Sequence, residues 1–213
     1  MAGCSASESP LSRSFYARPV LVVAREMLGK ILVHETPEGR VSGRIVEVEA
    51  YRGPEDRAAH SYGGRRTPRT EAMYGAPGHA YVFFVYGMHW HFNVVTTRIG
   101  APHAVLVRAV EPLEGVELMA FRRGLPADSR LLTNGPGKLC RAFGIDGTSY
   151  GRDLTAAPLY LLEAPRLRHT RSPRIGIDYA GEWAGVPWRF YATDSRYVST
   201  ARPRAEACRV PKR

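Results

Sequence analysis

The chain has 213 residues, of which 44% are hydrophobic and 23% charged, and this length and balance are those of a single globular domain. No apolar run approaches the roughly 18 residues of a membrane-spanning helix and no signal peptide is evident, so we expect neither membrane insertion nor export. The net charge of +10 favours a polyanionic partner, although only three of the 30 basic residues are lysines and an arginine bias can reflect a GC-rich genome.

The N-terminal residues 1–13 are small and polar, and we expect a disordered tail there. Pro19 is expected to begin a helix with one apolar stripe, which Gly29 ends. Two β-hairpins follow: the first has strands at 31–35 and 41–51, and the second has strands at 80–86 and 90–96 that turn near Gly87 and Met88.

Beyond the second hairpin, a strand is predicted at 104–110 and a helix at 113–123, which Pro112 begins. A short helix then ends at Phe143. Four further strands are predicted at 159–163, 174–177, 188–192 and 197–199, before a basic tail at 201–213. Short strands with few helices indicate one mixed α+β domain, about residues 14–200, with a largely antiparallel sheet.

The three cysteines, Cys4, Cys140 and Cys208, are odd in number and widely spaced. This spacing predicts a reducing compartment, without a disulfide framework or a cysteine-based zinc site. The spacing therefore fits a protein of the reducing cytoplasm.

Within residues 44–51, small aliphatic residues alternate with polar ones. The predicted core face carries Val46, Val48 and Ala50, and the face directed at water or a cleft carries Glu47, Glu49 and Tyr51. Carboxylates at positions i and i+2 stand about 7 Å apart, so each disfavours ionisation of the other, which suits a general acid or base. A solvated strand face is the more frequent explanation for an isolated pair of this kind.

Residues 51–69 form a long stretch with glycine, proline and charged residues but almost no aliphatic ones. It contains five arginines, one histidine and two tyrosines. Arginines interleaved with aromatic residues suit phosphate contacts combined with base stacking. A solvated, mobile insertion remains the alternative.

Eight short motifs together resemble the alkyladenine (3-methylpurine) DNA glycosylase family. They lie at 45–51, 58–61, 63–65, 67–69, 86–88, 106–112, 135–140 and 180–183. The resemblance covers about residues 15–200 in the family's order. It implies a curved sheet with flanking helices and a protruding β-hairpin.

The resemblance implies a monofunctional enzyme of base excision repair. Such an enzyme flips a damaged purine out of double-stranded DNA and hydrolyses its N-glycosidic bond, leaving an abasic site. Glu49 matches the base that activates water, and Arg108 matches the arginine that helps to hold this water. Glu47 shares the predicted face, but it could instead be a structural acid that is ion-paired to an arginine.

The resemblance also implies a pocket for the flipped base. Tyr51 matches the stacking tyrosine, and Phe83 stands where some relatives carry a second tyrosine. His60 matches the histidine at the base edge, and Asn93 matches the residue that screens normal guanine by clashing with its 2-amino group. Without the resemblance, Phe83 would be read as an ordinary core residue.

Other residues match those that hold the DNA. Tyr86 resembles the wedge that enters the duplex from the minor groove, and we expect Met88 beside it to extend that wedge. Arg65, Arg69 and Lys138 match phosphate contacts. We expect a monomer that needs no cofactor and has no membrane partner. The resemblance implies a cytoplasmic, nucleoid-associated protein if the source is bacterial, and a nuclear one if it is eukaryotic.

Two other functions are compatible with parts of the sequence. A metal-dependent nuclease or phosphoesterase could use Glu47, Glu49 and His60, or the pair His89 and His91, as ligands. A non-enzymatic nucleic-acid-binding module would need only the basic charge and the aromatic residues. A lyase that forms a Schiff base is disfavoured because the chain has only three lysines.

Overall fold

The computed structural model describes residues 9–199. The predicted C-terminal tail and residues 1–8 of the predicted N-terminal tail lie outside this range, as do Cys4 and Cys208. Residues 9–13 lie against the sheet, where Pro10 pairs with Leu162 and Leu11 is buried. Cys140 is a buried free thiol. Among residues 9–199, no helix has the length and apolar character needed to cross a membrane.

Eight strands form one sheet, in which every paired strand is antiparallel. They are β1 (Ile31–Thr36), β2 (Gly39–Arg52), β3 (Ala80–Val85), β4 (His89–Thr96), β5 (His103–Glu114), β6 (Leu159–Leu162), β7 (His169–Ser172) and β8 (Arg189–Ala192). The main order is β3-β4-β5-β2-β1-β6, and β8 pairs with both β2 and β7. The predicted α+β fold with an antiparallel sheet is therefore confirmed.

The helices lie mainly on one face of this sheet. They are α1 (Arg13–Tyr16), α2 (Val20–Met27), α3 (Val116–Arg123) and α4 (Pro136–Phe143). The apolar stripe of α2 joins Leu139 and Phe143 of α4 in the main core, together with alternate residues of β2, β4 and β5. Because strand side chains alternate between faces, the remaining residues of these strands face the other side, where the candidate site lies.

The central strand β2 departs from the predicted alternation at Val46. Register shifts lie between Ile45 and Glu47 and between Glu47 and Val48, so the pairing with β5 contains a bulge on each side of Glu47. Val46 consequently packs in a small cluster with Ala109 and Tyr197, and not with Val48 in the main core. The prediction that Val46 shares a face with Val48 is wrong for this reason.

Three other element predictions need correction. The helix after β5 begins at Val116 because β5 continues through Pro112 to Glu114, and Gly115 with a φ of 70° separates the two elements. Residues 174–177 and 197–199 do not form strands, because backbone amides in both segments bond to glutamates of β2. The strand β7 lies instead at His169–Ser172, where polar residues gave no apolar pattern.

Candidate active site

A cavity opens on the face of the sheet opposite the main core. Its walls come from β2, β3, β4 and β5, from the arginine-rich loop at residues 51–69 and from the irregular segment that follows β7. Its lining residues include Tyr51, His60, Tyr81, Phe83, His91, Asn93, Arg108 and Ile175. The structure thus brings together residues of four strands and two other segments, from Tyr51 to Tyr179 along the chain.

Glu49 lies directly against the wall of this cavity and is fully buried. Its Oε2 accepts a hydrogen bond of 2.8 Å from the Tyr51 hydroxyl, and its Oε1 accepts one of 2.8 Å from the amide of Ile175. Nη1 of Arg108 lies 3.3 Å from the same Oε1. All three partners line the cavity, so the carboxylate is fixed at its edge by residues that a ligand would contact.

The protonation states of the groups around Glu49 follow from this arrangement. Burial and the adjacent carboxylate raise the pKa of Tyr51 well above its usual value, so its hydroxyl stays a donor. Burial alone would lower the pKa of Arg108, but the carboxylates of Glu49 and Glu47 outweigh that effect and raise it. The guanidinium therefore stays charged beside Glu49.

Glu47 is also fully buried, and of its hydrogen-bond partners only Arg108 lines the cavity. Its Oε1 accepts from Nε of Arg108 at 2.9 Å, from Nε of Arg189 at 2.7 Å and from the Ser199 hydroxyl at 2.7 Å. Its Oε2 accepts from the amide of Ser199 at 2.6 Å. This is the geometry of the structural, ion-paired acid, and it orients Arg108 towards Glu49.

All four residues that were expected to bind the flipped base line this cavity: Tyr51, His60, Phe83 and Asn93. Nδ1 of His60 lies 2.7 Å from the Tyr81 hydroxyl, and its ring packs edge-on against Phe83 at 4.5 Å. Burial, with Arg69 and Arg65 nearby, lowers the pKa of His60 to about 4, so the ring is neutral at pH 7. Asn93 is buried, and its Nδ2 donates to the Tyr81 carbonyl at 3.0 Å.

Several lining residues, among them Tyr81, His91 and Ile175, had no role in the pocket predicted from the sequence. Tyr81 and His91 belong to the same alternating sets as Phe83 and Asn93, so strand periodicity could have identified them. Ile175 contributes through its backbone amide. No side-chain pattern could have identified that contact.

The tip of the β3–β4 hairpin is exposed at the mouth of the cavity. Tyr86 is 84% exposed, adopts a positive φ of 54° and also lines the cavity. Met88 is 67% exposed on the same turn but does not line the cavity. An exposed aromatic side chain therefore stands beside the opening.

The three predicted phosphate contacts occupy different places. Arg69 is exposed, with its guanidinium 5.2 Å from the centre of the Phe83 ring. Arg65 is also exposed and near enough to His60 to affect its pKa. Lys138 lies in the first turn of α4, away from the cavity, where its Nζ donates to Oδ1 of Asn134 at 2.8 Å. Burial and two nearby arginines lower the pKa of Lys138.

The ligand sets considered for a metal enzyme do not assemble in residues 9–199, where no three histidine, cysteine or acidic side chains form a group that could hold an ion. Both glutamates are bound by arginines, and His60 bonds to Tyr81. His89 is exposed, whereas His91 faces the cavity.

Comparison with known proteins identifies the family. The model of the methylpurine-DNA glycosylase (MPG) family matches residues 14–196. The chain belongs to this family. It is therefore a DNA repair enzyme that hydrolyses N-glycosyl bonds, as the sequence motifs predicted.

Bacterial relatives match over almost their full lengths. One from Desulfitobacterium hafniense (strain Y51) is 58% identical over 198 residues, which are 89% of this chain and 98% of the relative. Relatives from Clostridium acetobutylicum (strain ATCC 824) and Bacillus mycoides (strain KBAB4) are 50% and 51% identical, covering 89% and 87% of this chain and 97% of each relative. Each is named "Putative 3-methyladenine DNA glycosylase".

Proposed function

We propose that this methylpurine-DNA glycosylase flips alkylated or deaminated purines out of duplex DNA and releases them with a water that Glu49 activates. The lesion class is that of 3-methyladenine, 7-methylguanine, hypoxanthine and ethenoadenine. The observation that carries the proposal is the position of the Glu49 carboxylate, which is held by Tyr51 and Arg108 in the wall of an aromatic cavity.

The reaction begins when the damaged nucleotide leaves the stack and its base enters the cavity. Tyr51 and Phe83 offer flat faces for stacking, which is worth about 1–3 kcal/mol per base. As the N-glycosidic bond breaks, the departing purine takes the bonding electrons and the sugar develops oxocarbenium character. Glu49 takes a proton from the water that attacks C1′, while Arg108 orients the carboxylate and this water.

Selection of the base depends on the side chains of Asn93 and His60, which hydrogen bonds to Tyr81 hold in place. Because Nδ2 of Asn93 is committed to the Tyr81 carbonyl, its amide cannot swing away from a guanine 2-amino group. His60 is fixed in the same way through Tyr81 and presents a neutral ring to the base edge. A guanine 2-amino group is thereby disfavoured by shape. 7-Methylguanine carries this group as well, but its positive charge weakens the N-glycosidic bond, so it is released although undamaged guanine is not.

Duplex DNA is held around the opening of the cavity. Tyr86, with Met88 beside it, fills the gap that the flipped nucleotide leaves. Arg65, Arg69 and Lys138 contact flanking phosphates, to which the net charge of +10 adds long-range attraction. The complete site lies within one monomer. Because the relatives are bacterial, its substrate is the DNA of a nucleoid.

The direct test uses the purified protein and duplex oligonucleotides with a single 3-methyladenine-type, 7-methylguanine, hypoxanthine or ethenoadenine lesion, in the presence of EDTA. We expect release of the free base and an alkali-labile abasic site, but no reaction with an undamaged duplex. If no lesion of this set is released, the proposed function is wrong.

A further inference from the structure

His91 is the cavity residue whose chemistry the proposed reaction leaves unused. It lies on β4, where its ring is 5.5 Å from the ring of Phe83, and both residues line the cavity with Arg108. Arg108 is near enough to affect the pKa of His91. His91 therefore lies on the cavity wall beside the stacking residue Phe83.

Among residues 9–199, no group forms a hydrogen bond with the ring of His91. Five other histidines in this range, namely His34, His60, His79, His103 and His169, each have a ring nitrogen bonded within the protein. The sixth, His89, is exposed to water. His91 is half-buried and presents unpaired nitrogens to an enclosed space.

We propose that His91 is a specificity-determining residue, whose imidazole forms a hydrogen bond with the edge of the flipped purine. This inference rests on the proposed function and adds a residue to those that recognise the base in the same cavity.

The charge state of the ring determines which hydrogen bonds it can form. Burial, together with repulsion of the charged form by Arg108, His89 and His60, lowers the pKa of His91 to about 4. At pH 7 the ring is thus neutral, with one nitrogen as donor and the other as acceptor. A neutral ring does not repel a cationic base, whereas a lysine or arginine at this place would.

A role in packing alone does not account for a histidine here. A phenylalanine or leucine would fill comparable space against Phe83 without placing two polar nitrogens in a cavity where the protein offers them no partner. A base with ring nitrogens and exocyclic groups supplies such partners. The unpaired ring is therefore best explained by a ligand.

The test compares His91→Phe, His91→Gln and His91→Lys with the wild type in single-turnover excision of 7-methylguanine and hypoxanthine. Phe keeps a flat ring without hydrogen bonds, Gln keeps a donor and an acceptor, and Lys adds a fixed charge. The same changes at His169, an exposed residue of β7, provide matched controls. Thermal unfolding of each variant separates folding defects from loss of base recognition. If the His91→Phe variant does not fold, His91→Leu is used in its place.

We expect His91→Phe to slow excision of both lesions by roughly three- to tenfold, the effect of one lost hydrogen bond, and Gln to recover most of this loss. Lys should slow excision of cationic 7-methylguanine at least tenfold more than that of neutral hypoxanthine. Wild-type rates for His91→Phe, or equal losses on both lesions for His91→Lys, would overturn the inference. Neither result would contradict the proposed function, because that function fails only if the wild-type protein releases no base.

Discussion

The guanidinium of Arg174 and the carboxylate of Asp56 form a bidentate ion pair in which both side chains are fully buried. Nη2 lies 2.9 Å from Oδ1, and Nη1 lies 2.5 Å from Oδ2. Asp56 belongs to the arginine-rich loop, while Arg174 precedes Ile175, whose amide bonds to Glu49. The guanidinium also lies 4.7 Å from the centre of the Tyr51 ring. The pair thus joins two segments that build the cavity wall.

We expect Arg174→Ala to lower the free energy of unfolding by about 3–5 kcal/mol, because it leaves the Asp56 carboxylate buried without a counter-charge. Arg174→Lys should recover only part of this loss, since an ammonium cannot reproduce two parallel hydrogen bonds. Urea denaturation measures both. As a control, Arg66→Ala removes an exposed pair with Glu71 and should leave stability nearly unchanged. Equal stability of Arg174→Ala and Arg66→Ala would contradict the role assigned to the buried pair.

We expect Glu49→Gln to bind lesion-containing duplex but to lose excision by about a hundredfold or more, since the amide keeps the shape and cannot accept the proton. Single-turnover rates and equilibrium binding to the same oligonucleotide separate the two effects. Glu47→Gln is the informative comparison, because Glu47 orients Arg108 but receives no hydrogen bond from Tyr51 or Ile175. Its loss should lower stability and slow excision far less than the loss of Glu49. Excision by Glu49→Gln within a few-fold of wild type would reject Glu49 as the base.

We expect excision to persist in EDTA and to leave an abasic site without cutting the strand. Water attack assisted by Glu49 and Arg108 requires neither a metal ion nor a lysine nucleophile. Denaturing gels before and after alkali treatment distinguish the two products. Loss of activity with chelator, or a covalent adduct trapped by borohydride, would show a different mechanism.

We expect stability to fall as pH is lowered from about 6.5 towards 4. His60 and His91 each have a folded-state pKa of about 4, below the usual value of 6.5, because burial disfavours their charged forms. The unfolded chain therefore binds more protons in this interval, and the stabilisation present above pH 6.5 is lost on acidification. Urea denaturation across this range should give a shallower pH dependence for His91→Phe than for wild type. An identical slope in both would contradict the buried, neutral state of His91.

Positions along a strand could be predicted from the sequence, whereas strand register and contacts between distant segments could not. Glu49, Tyr51 and Asn93 lie on strands whose alternation and motifs are visible in the sequence, and the structure places all three at the cavity or against its wall. The bulges around Glu47 could not be predicted from alternation, because register depends on which strand pairs with β2. The ion pair of Asp56 could not be predicted either, since its partner Arg174 lies 118 residues away in the sequence.

The wedge assignment makes a separate prediction for Tyr86. We expect Tyr86→Ser to keep the fold, since the side chain is 84% exposed, and to slow excision, because the extruded base can return to an unfilled stack. The loss should be larger for a lesion that pairs well than for a mismatched one, which costs less to extrude. Phosphate contacts by Arg65, Arg69 and Lys138 are unchanged, so the salt dependence of non-specific binding should stay the same.

Phe121 provides the matched control for Tyr86, because it is equally exposed at 84% but lies on α3, outside the residues that line the cavity. We expect Phe121→Ser to excise hypoxanthine at the wild-type rate. Single-turnover assays with hypoxanthine placed opposite thymine and in a mismatch give the comparison between well-paired and poorly paired substrates. Wild-type rates for Tyr86→Ser on both substrates would show that the β3–β4 hairpin does not enter the duplex, because an empty gap should otherwise favour return of the better-paired base.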